Sequence, residues 1–214
     1  MKKNSLFIFL CLISIVAITG AAAFFIVNNK AQAADSALTF ANKVYTLKWS
    51  NKTDGGYVNE YLPNGETLDN YHTMVTVREV LQMKNQLQAA QNMYGAFKQK
   101  TEKGGAFLAT IDQINKDATL VRFCIVAKAP KRNLECSAFN LQQRADDGAV
   151  MIYQYIQRYF EDELKLTPDN AQNVLNRVES DFNKIKPYIT TVKMPSIVKQ
   201  VIDAPASYSY GTKK

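Results

Sequence analysis

Thr119-Leu-Val-Arg-Phe-Cys-Ile-Val-Ala127, Lys128-Ala-Pro-Lys-Arg132 and Asn133-Leu-Glu-Cys-Ser-Ala-Phe-Asn-Leu141 follow one another in the chain, and the fold turns on how they are read. Two apolar runs rich in β-branched and aromatic residues flank a polar pentapeptide holding a proline, which is the pattern of two strands joined by a turn. With Pro130 at the centre of that turn, opposed residues have numbers summing to 260, so Cys124 faces Cys136. A non-hydrogen-bonded pair at that position brings two cysteines within disulfide reach. The competing reading, a redox or nucleophilic thiol pair, calls for a helix N-terminus or a CxxC spacing, and neither is present. A structural bridge that pins strand register is therefore expected. Lys128, Lys131 and Arg132 form a small basic cluster at the hairpin tip, read as solvated loop charge, with contact to anionic lipid or lipopolysaccharide as the sharper alternative.

On the C-terminal side, Ala145-Asp146-Asp147-Gly148 is a turn signal, and Val150 to Tyr159 follows it. Ile152, Ile156 and Tyr159 also fit helical spacing, but the β-branched and aromatic content and the preceding Asp-Gly favour a strand. Thr167-Pro168-Asp169 reads as a helix start, with Val174, Val178, Phe182 and Ile185 as the buried stripe until Pro187. Residues 196–214 read as a flexible tail.

On the N-terminal side, Gly105 to Asp112 begins another β run. Between Arg78 and Lys103, the residues Val80, Met83, Leu87, Ala90, Tyr94 and Phe97 fall on one helical stripe, closed by Gly104-Gly105. Val44 to Ser50 and Tyr57 to Leu62 alternate around Thr53-Asp54-Gly55-Gly56, which predicts a hairpin. A turn at Pro63-Asn64-Gly65, a helical turn over Thr67 to His72 and a strand over Thr73 to Val77 complete the set. The predicted fold class is α+β: an antiparallel sheet of six to seven strands, with one long amphipathic helix and a C-terminal helix packed on it. The predicted boundaries are a leader over 1–33, a linker over 34–42, a single domain over 43–195 and the tail over 196–214.

The chain has 214 residues, 47% of them apolar and 21% charged, which suits a globular protein rather than a disordered or multi-span one. Lys2 and Lys3 precede an uncharged run from Leu6 to Val27, and Ala31-Gln32-Ala33 follows it. Positive residues, an apolar stretch and small residues two apart make a secretory signal peptide, so export to the periplasm or beyond is expected. The 22 uncharged residues would also cover ~33 Å as a helix, enough to stay as an inner-membrane anchor, and both fates are open. Cys11 lies inside the apolar run, which argues against a lipoprotein anchor. Export fits the cysteine count, since two of three cysteines remain beyond residue 33 in a compartment where disulfides persist. Without Lys2, Lys3 and Lys30 the net charge falls from +7 to +4, and the remaining cations are interleaved with acids. The electrostatic footprint of a nucleic-acid binder is missing.

Asn59-Glu60-Tyr61-Leu62-Pro63-Asn64-Gly65-Glu66-Thr67-Leu68-Asp69-Asn70-Tyr71, followed by Met74-Val75-Thr76-Val77, resembles a segment shared by small exported proteins of Gram-negative bacteria. Their pattern is an acid and aromatic, Gly-Glu-Thr, Asn-Trp and an apolar-Thr strand, with Tyr71 here in place of the tryptophan. The stretch from Leu120 to Tyr159 is similar in outline, and the resemblance supports a strand at Val150. It implies no activity, ligand or catalytic residue.

His72 is the only histidine, and no His-x3-His, CxxC or calcium-loop spacing occurs, so no metal and no cofactor is expected. No Gly-x-Ser-x-Gly elbow or phosphate-binding glycine pattern is present, and His72 reads as a partly buried or capping residue. Asp54, Glu60, Glu66 and Asp69 crowd one region and are the candidate acid and base of a carboxylate hydrolase. Tyr45, Trp49, Tyr57 and Tyr61 share a parity on two adjacent strands and form either a core layer or an aromatic face for a glycan or lipid. The sequence thus predicts a non-enzymatic envelope protein that binds another envelope or secretion-system protein. A small-ligand binder using the aromatic face is the alternative, and a carboxylate hydrolase the third reading.

Overall fold

The computed structural model describes residues 37–102, 106–127, 133–165 and 167–203. The leader, the basic hairpin tip and the final residues 204–214 lie outside the described residues. Eight strands are β1 (Ala37–Phe40), β2 (Lys43–Thr53), β3 (Gly56–Pro63), β4 (Thr73–Val80), β5 (Ala106–Asn115), β6 (Ala118–Ala127), β7 (Asn133–Gln143) and β8 (Val150–Phe160). The helices are α1 (Gln86–Glu102), the single turn α2 (Glu161–Leu164) and α3 (Ala171–Thr191), the last preceded by a 3-10 turn at Pro168–Asn170. The strands form one antiparallel sheet in the order β1-β2-β3-β4-β8-β7-β6-β5, two meanders joined at β4 and β8.

The expectation of six to seven strands with one long helix and a packed C-terminal helix is corrected. Among the described residues the sheet has eight strands, because Ala37–Phe40, within the predicted linker, pairs with Lys43–Thr46. The central helix is also shorter than its stripe suggests. Val80 is the last residue of β4, paired with Val150, and the helix begins only after Asn85, whose Oδ1 accepts the Gln88 N–H at 2.8 Å as an N-cap does. The longest helix is α3, which runs through Pro187 to Thr191. A proline inside a helix removes one backbone donor. Here the turn beyond it is held from outside: Ile189 is fully buried and its carbonyl accepts the Asn140 side-chain amide at 2.7 Å. Thr67 to His72 forms a turn with a Thr67–Asn70 bridge, not a helical turn.

Every β6–β7 pair sums to 260, so the proline-centred register is the observed one. Cys124 and Cys136 are directly opposed at disulfide distance, with Cα atoms 4.1 Å apart.

Alternation in the strands gives each face of the sheet its own core. On one face, called here the α3 face, Phe182 and Ile189 pack against Tyr45, Tyr61, Val75, Val77, Leu120, Ala138, Tyr153 and Tyr155. Val174 and Val178 extend that layer over Cys124, Leu134 and Tyr159. On the α1 face, Ala89, Ala90 and Phe97 pack on Val121, Phe123, Phe139, Leu141 and Ile152. Phe97, Phe123 and Phe139 stack there, with centroids 3.5 and 5.3 Å apart in sequence.

Beyond α3 the chain does not leave the body. Met194 and Ile197 pack on the α3-face core, and Asn59 exchanges hydrogen bonds with both backbone groups of Val198. Ile202 then pairs antiparallel with Ser50 at the edge of β2. Residues 196–203, read from sequence as tail, are thus a strap across the sheet. No helix among the described residues is long and apolar enough to cross a membrane.

Candidate functional site

The four aromatics of the proposed ligand face do not form one. A β-bulge between Leu47 and Trp49 shifts the β2–β3 register, so Leu47 opposes Tyr61 while Trp49 opposes Glu60. One extra residue in a strand moves everything after it to the other face. Tyr45 and Tyr61 lie on the α3 face, 1% and 2% exposed, beneath helix and strap. Trp49 projects on the opposite side, where it packs with Leu62, Leu68, Tyr71, Met74 and Ile156. Tyr57, opposite Lys52, is half-buried near the far end of the hairpin. Burial holds the tyrosines of the α3 layer in the phenol form. Tyr61 is pushed up to about 12, and burial also raises Tyr45, where a hydrogen bond with Thr73 offsets part of the effect.

The candidate carboxylates are dispersed as well. Asp54 sits in the β2–β3 turn and Glu66 and Asp69 beyond β3, at opposite ends of an eight-residue strand that spans roughly 27 Å. Glu66 is occupied with backbone, its Oε2 accepting the N–H groups of His72 at 2.9 Å and Thr73 at 3.2 Å. With Gly65 at φ +85°, where a side chain is disfavoured, this carboxylate folds the Gly65-Glu66-Thr67 turn back onto the start of β4. The segment that carries the family resemblance is therefore a loop-closing device. Tyr71 ends it, hydrogen-bonded to Glu135 and stacked under the Arg158 guanidinium at 3.7 Å.

Several other charged groups are committed to pairs. His72 is exposed rather than partly buried, with Nε2 2.9 Å from Glu163 Oε1. Buried Glu79 accepts from Arg144 at 2.8 Å, and Arg144 also grips Asp146 and Asp147. The hydrogen bond from Arg144 holds the Asp147 carboxyl far below the usual carboxylate range. Burial pushes Asp181 upward, but hydrogen bonds from Lys184, Arg177 and Tyr159 outweigh it and leave the carboxyl lowered. No group of three or more His, Cys, Asp or Glu side chains that could hold a metal occurs among the described residues. A cavity of about 30 Å³ beside Cys124, Cys136 and Arg122 has room for about one water. A cleft of about 410 Å³ between the β7–β8 turn and the strap is lined by Arg144, Met151, Met194 and Lys199, its cations facing Glu79, Asp146 and Asp147.

One row of the sheet holds two of the buried polar atoms that find no partner among the described residues. Register across the sheet sets Trp49 beside Glu60, Glu60 beside Thr76, and Thr76 beside Gln154, a row over β2, β3, β4 and β8 on the face away from α3. Glu60 and Thr76 are fully buried and Gln154 is 5% exposed. Gln154 donates to Ser137 at 3.1 Å, yet its Oε1 and the Thr76 Oγ1 have no hydrogen-bond partner among the described residues. Buried polar atoms without partners are rare and costly. The Trp49, Leu68, Tyr71 and Met74 cluster is a small buried core along one side of the row, with Trp49 its partly exposed member. On this face α1 covers β6 and β7 and shares its cluster with Val80 at the end of β4. Sequence reasoning named Trp49 and Glu60 for other roles and missed Thr76 and Gln154. Their signal was available: Thr76 interrupts the apolar run Met74–Val77, and Gln154 interrupts the run Val150–Ile156.

No curated protein matches the chain. Among solved structures, a mutant of the protein Mog1 shows 11% identity and a TM-score of 0.38, over 68% of this chain and 82% of that one. The Ran-binding protein Mog1p of Saccharomyces cerevisiae shows 12% identity at the same TM-score, over 67% and 81%. A family model matches residues 32–194, and the chain belongs to that family, a bacterial one whose function is uncharacterised.

Proposed function

We propose that this chain is an exported, non-catalytic protein-binding module of the bacterial envelope, and that the margin of β2 at the partly exposed Trp49 is its binding surface. The observation that carries the reading is the interrupted pairing of that margin: among the described residues β1 pairs with β2 no further than Thr46, and the strap pairs with it at Ser50. An extended peptide suits the stretch between them, because a strand-like segment pairs with backbone there while an aromatic side chain packs on Trp49. Catalysis is disfavoured by the same geometry, since the candidate acids stand apart and Glu66 is engaged with backbone. Export is supported by Lys2, Lys3, the uncharged run and Ala31-Gln32-Ala33, and by two cysteines at bonding distance.

The test is site-specific photo-crosslinking in growing cells. A benzophenone side chain at Trp49 is expected to trap an envelope protein, and the same group at exposed Lys184 on α3 is not. Equal yields from the two positions, or no protein adduct from Trp49, would refute the binding surface. Protease added to spheroplasts is expected to degrade the chain, and full protection there would refute export.

A further inference from the structure

We infer that the outer half of the strap, Lys199 to Asp203, is a displaceable strand seated on the β2 margin, and that the partner which replaces it there is an acidic extended segment. The inference rests on the binding surface proposed above and adds what that surface selects and what the partner must displace.

Backbone pairing sets the need for displacement. Between Thr46, the last residue paired by β1, and Ser50, the residue paired by the strap, the margin holds only Leu47, Lys48 and Trp49. An ordinary strand runs about five or six residues, so a peptide confined to that gap gains little pairing. Beyond Ser50, β2 continues to Thr53 with no described strand on its outer side. With Ile202 lifted from Ser50, Leu47 to Thr53 becomes one open edge of about 23 Å.

The strap holds at one end and yields at the other. Asn59 is fully buried, and its side-chain amide accepts the Val198 N–H at 2.7 Å and donates to the Val198 carbonyl at 3.0 Å. Ser50 Oγ donates to the same carbonyl at 3.4 Å. Further along, Ile202 and Ser50 exchange a single pair of backbone bonds, at 2.8 and 3.2 Å. Lys199, Gln200 and Asp203 are exposed there, and Val201 is 53% exposed. Backbone bonds with so little side-chain burial around them open first, while the Asn59 clamp keeps the released strap attached.

Charge decides what replaces it. Lys48 and Lys52 are exposed on either side of Ser50. The lysines ion-paired among the described residues are Lys116, Lys184 and Lys199, so neither margin lysine is neutralised. The strap offers them no anion. Extending its register places Gln200 opposite Lys52, while Lys199 points to Glu79, 3.8 Å away, and the one strap acid, Asp203, falls opposite Trp49. An incoming antiparallel strand with an apolar residue opposite Ser50 and acids two places to either side makes the same backbone bonds and adds cross-strand charge pairs that the strap lacks.

The test is amide NMR of the intact protein with synthetic peptides. A peptide alternating valine and glutamate is expected to move the signals of Lys48, Ser50 and Lys52 and to remove the protection of the Ile202 amide against hydrogen exchange, with that of Val198 kept. The same peptide with lysine for glutamate is expected to do neither. Ile202→Pro deletes the donor to Ser50 in an exposed stretch and is expected to tighten the glutamate peptide about tenfold, as one net hydrogen bond is worth. Lys48→Glu combined with Lys52→Glu is expected to reverse the preference toward the lysine peptide, which a purely structural role for those residues would not do. Equal binding of the two peptides by the wild type, equal binding of the glutamate peptide by the wild type and Ile202→Pro, or loss of Val198 and Ile202 protection together would each overturn the inference. The two proposals fail separately. Envelope adducts at position 49 with no peptide effect remove the displacement alone, whereas the peptide effects without any envelope adduct support the displacement and remove the envelope partner.

Discussion

Breaking the Cys124–Cys136 link is the perturbation whose size follows most directly from the structure. The two residues are separated by 12 in sequence. Closing a loop of about 13 residues lowers the entropy of the unfolded chain by an amount worth about 3 kcal/mol at 25 °C in the chain-entropy model. The folded state should lose little, because β6 stays paired with β5 and β7 with β8 whether or not the sulfurs are joined. Cys124 is buried among Leu134, Tyr159 and Val178, so replacing both cysteines by alanine would add a small cavity cost, and chemical reduction of the wild type is the cleaner perturbation. For a body of this size, 3 kcal/mol corresponds to a fall in Tm of roughly 6 to 12 °C. The assay is urea unfolding and thermal melting of the oxidised and reduced protein. The reduced form is expected to show a lower midpoint and a steeper denaturant dependence, since its unfolded ensemble is less constrained. Equal midpoints in the two forms would refute the reasoning, because they would mean that the unfolded hairpin retains its pairing without the bond.

Three further outcomes are expected. Gly56 adopts φ +135°, and a Cβ placed on it would stand 2.5 Å from the Glu79 carbonyl oxygen of β4, so Gly56→Ala should cost about 2 to 4 kcal/mol in urea unfolding through backbone strain and a displaced β3–β4 ladder. Glu66→Ala removes the acceptor of the His72 and Thr73 N–H groups and should cost about 2 kcal/mol, read from urea midpoints, with Glu66→Gln recovering part of it. Alkali should destabilise the fold. Tyr61 has a folded value raised to about 12 against 10 unfolded, so between those pH values the unfolded state holds fewer protons and stability falls as pH rises. Burial shifts Tyr153, Tyr155 and Tyr159 in the same direction, and a Tyr61→Phe protein should lose less stability than the wild type across that window.

What could be read in advance followed local rules. The β6–β7 register was legible because a proline turn and two alternating runs fix pairing without reference to anything distant. Val150 to Phe160 was legible as a strand through its β-branched and aromatic content. Other features depended on tertiary contacts. The bulge at Lys48 is invisible to a period-two pattern, so Trp49 was assigned to the wrong face along with the platform built on it. Val80 and Met83 matched the helical stripe because they pack into the same cluster as α1 while lying in β4 and the following turn. α3 passed its proline because Ile189 is buried and its carbonyl engaged, which no propensity conveys. Thr76 and Gln154 were visible singly as polar interruptions, but their juxtaposition was not: it comes from the β4–β8 pairing, between residues almost eighty positions apart.

The margin at β2 has a topological consequence. Ala37 pairs with Thr46 and Ile202 pairs with Ser50, both antiparallel to the same strand, so the two ends of the described body stand head to tail along one edge, within about 14 Å. Together they make up the outermost line of the sheet, interrupted by a gap. A short linker across that gap, with the chain reopened at the Asp146–Gly148 turn, would give a circular permutant with the same sheet and both long helices, α1 and α3, in place. Conversely, tension applied between the two ends would peel this divided line from β2 before it loaded the Cys124–Cys136 hairpin, so a mechanical signal reaching the protein through its ends would be felt first beside Trp49.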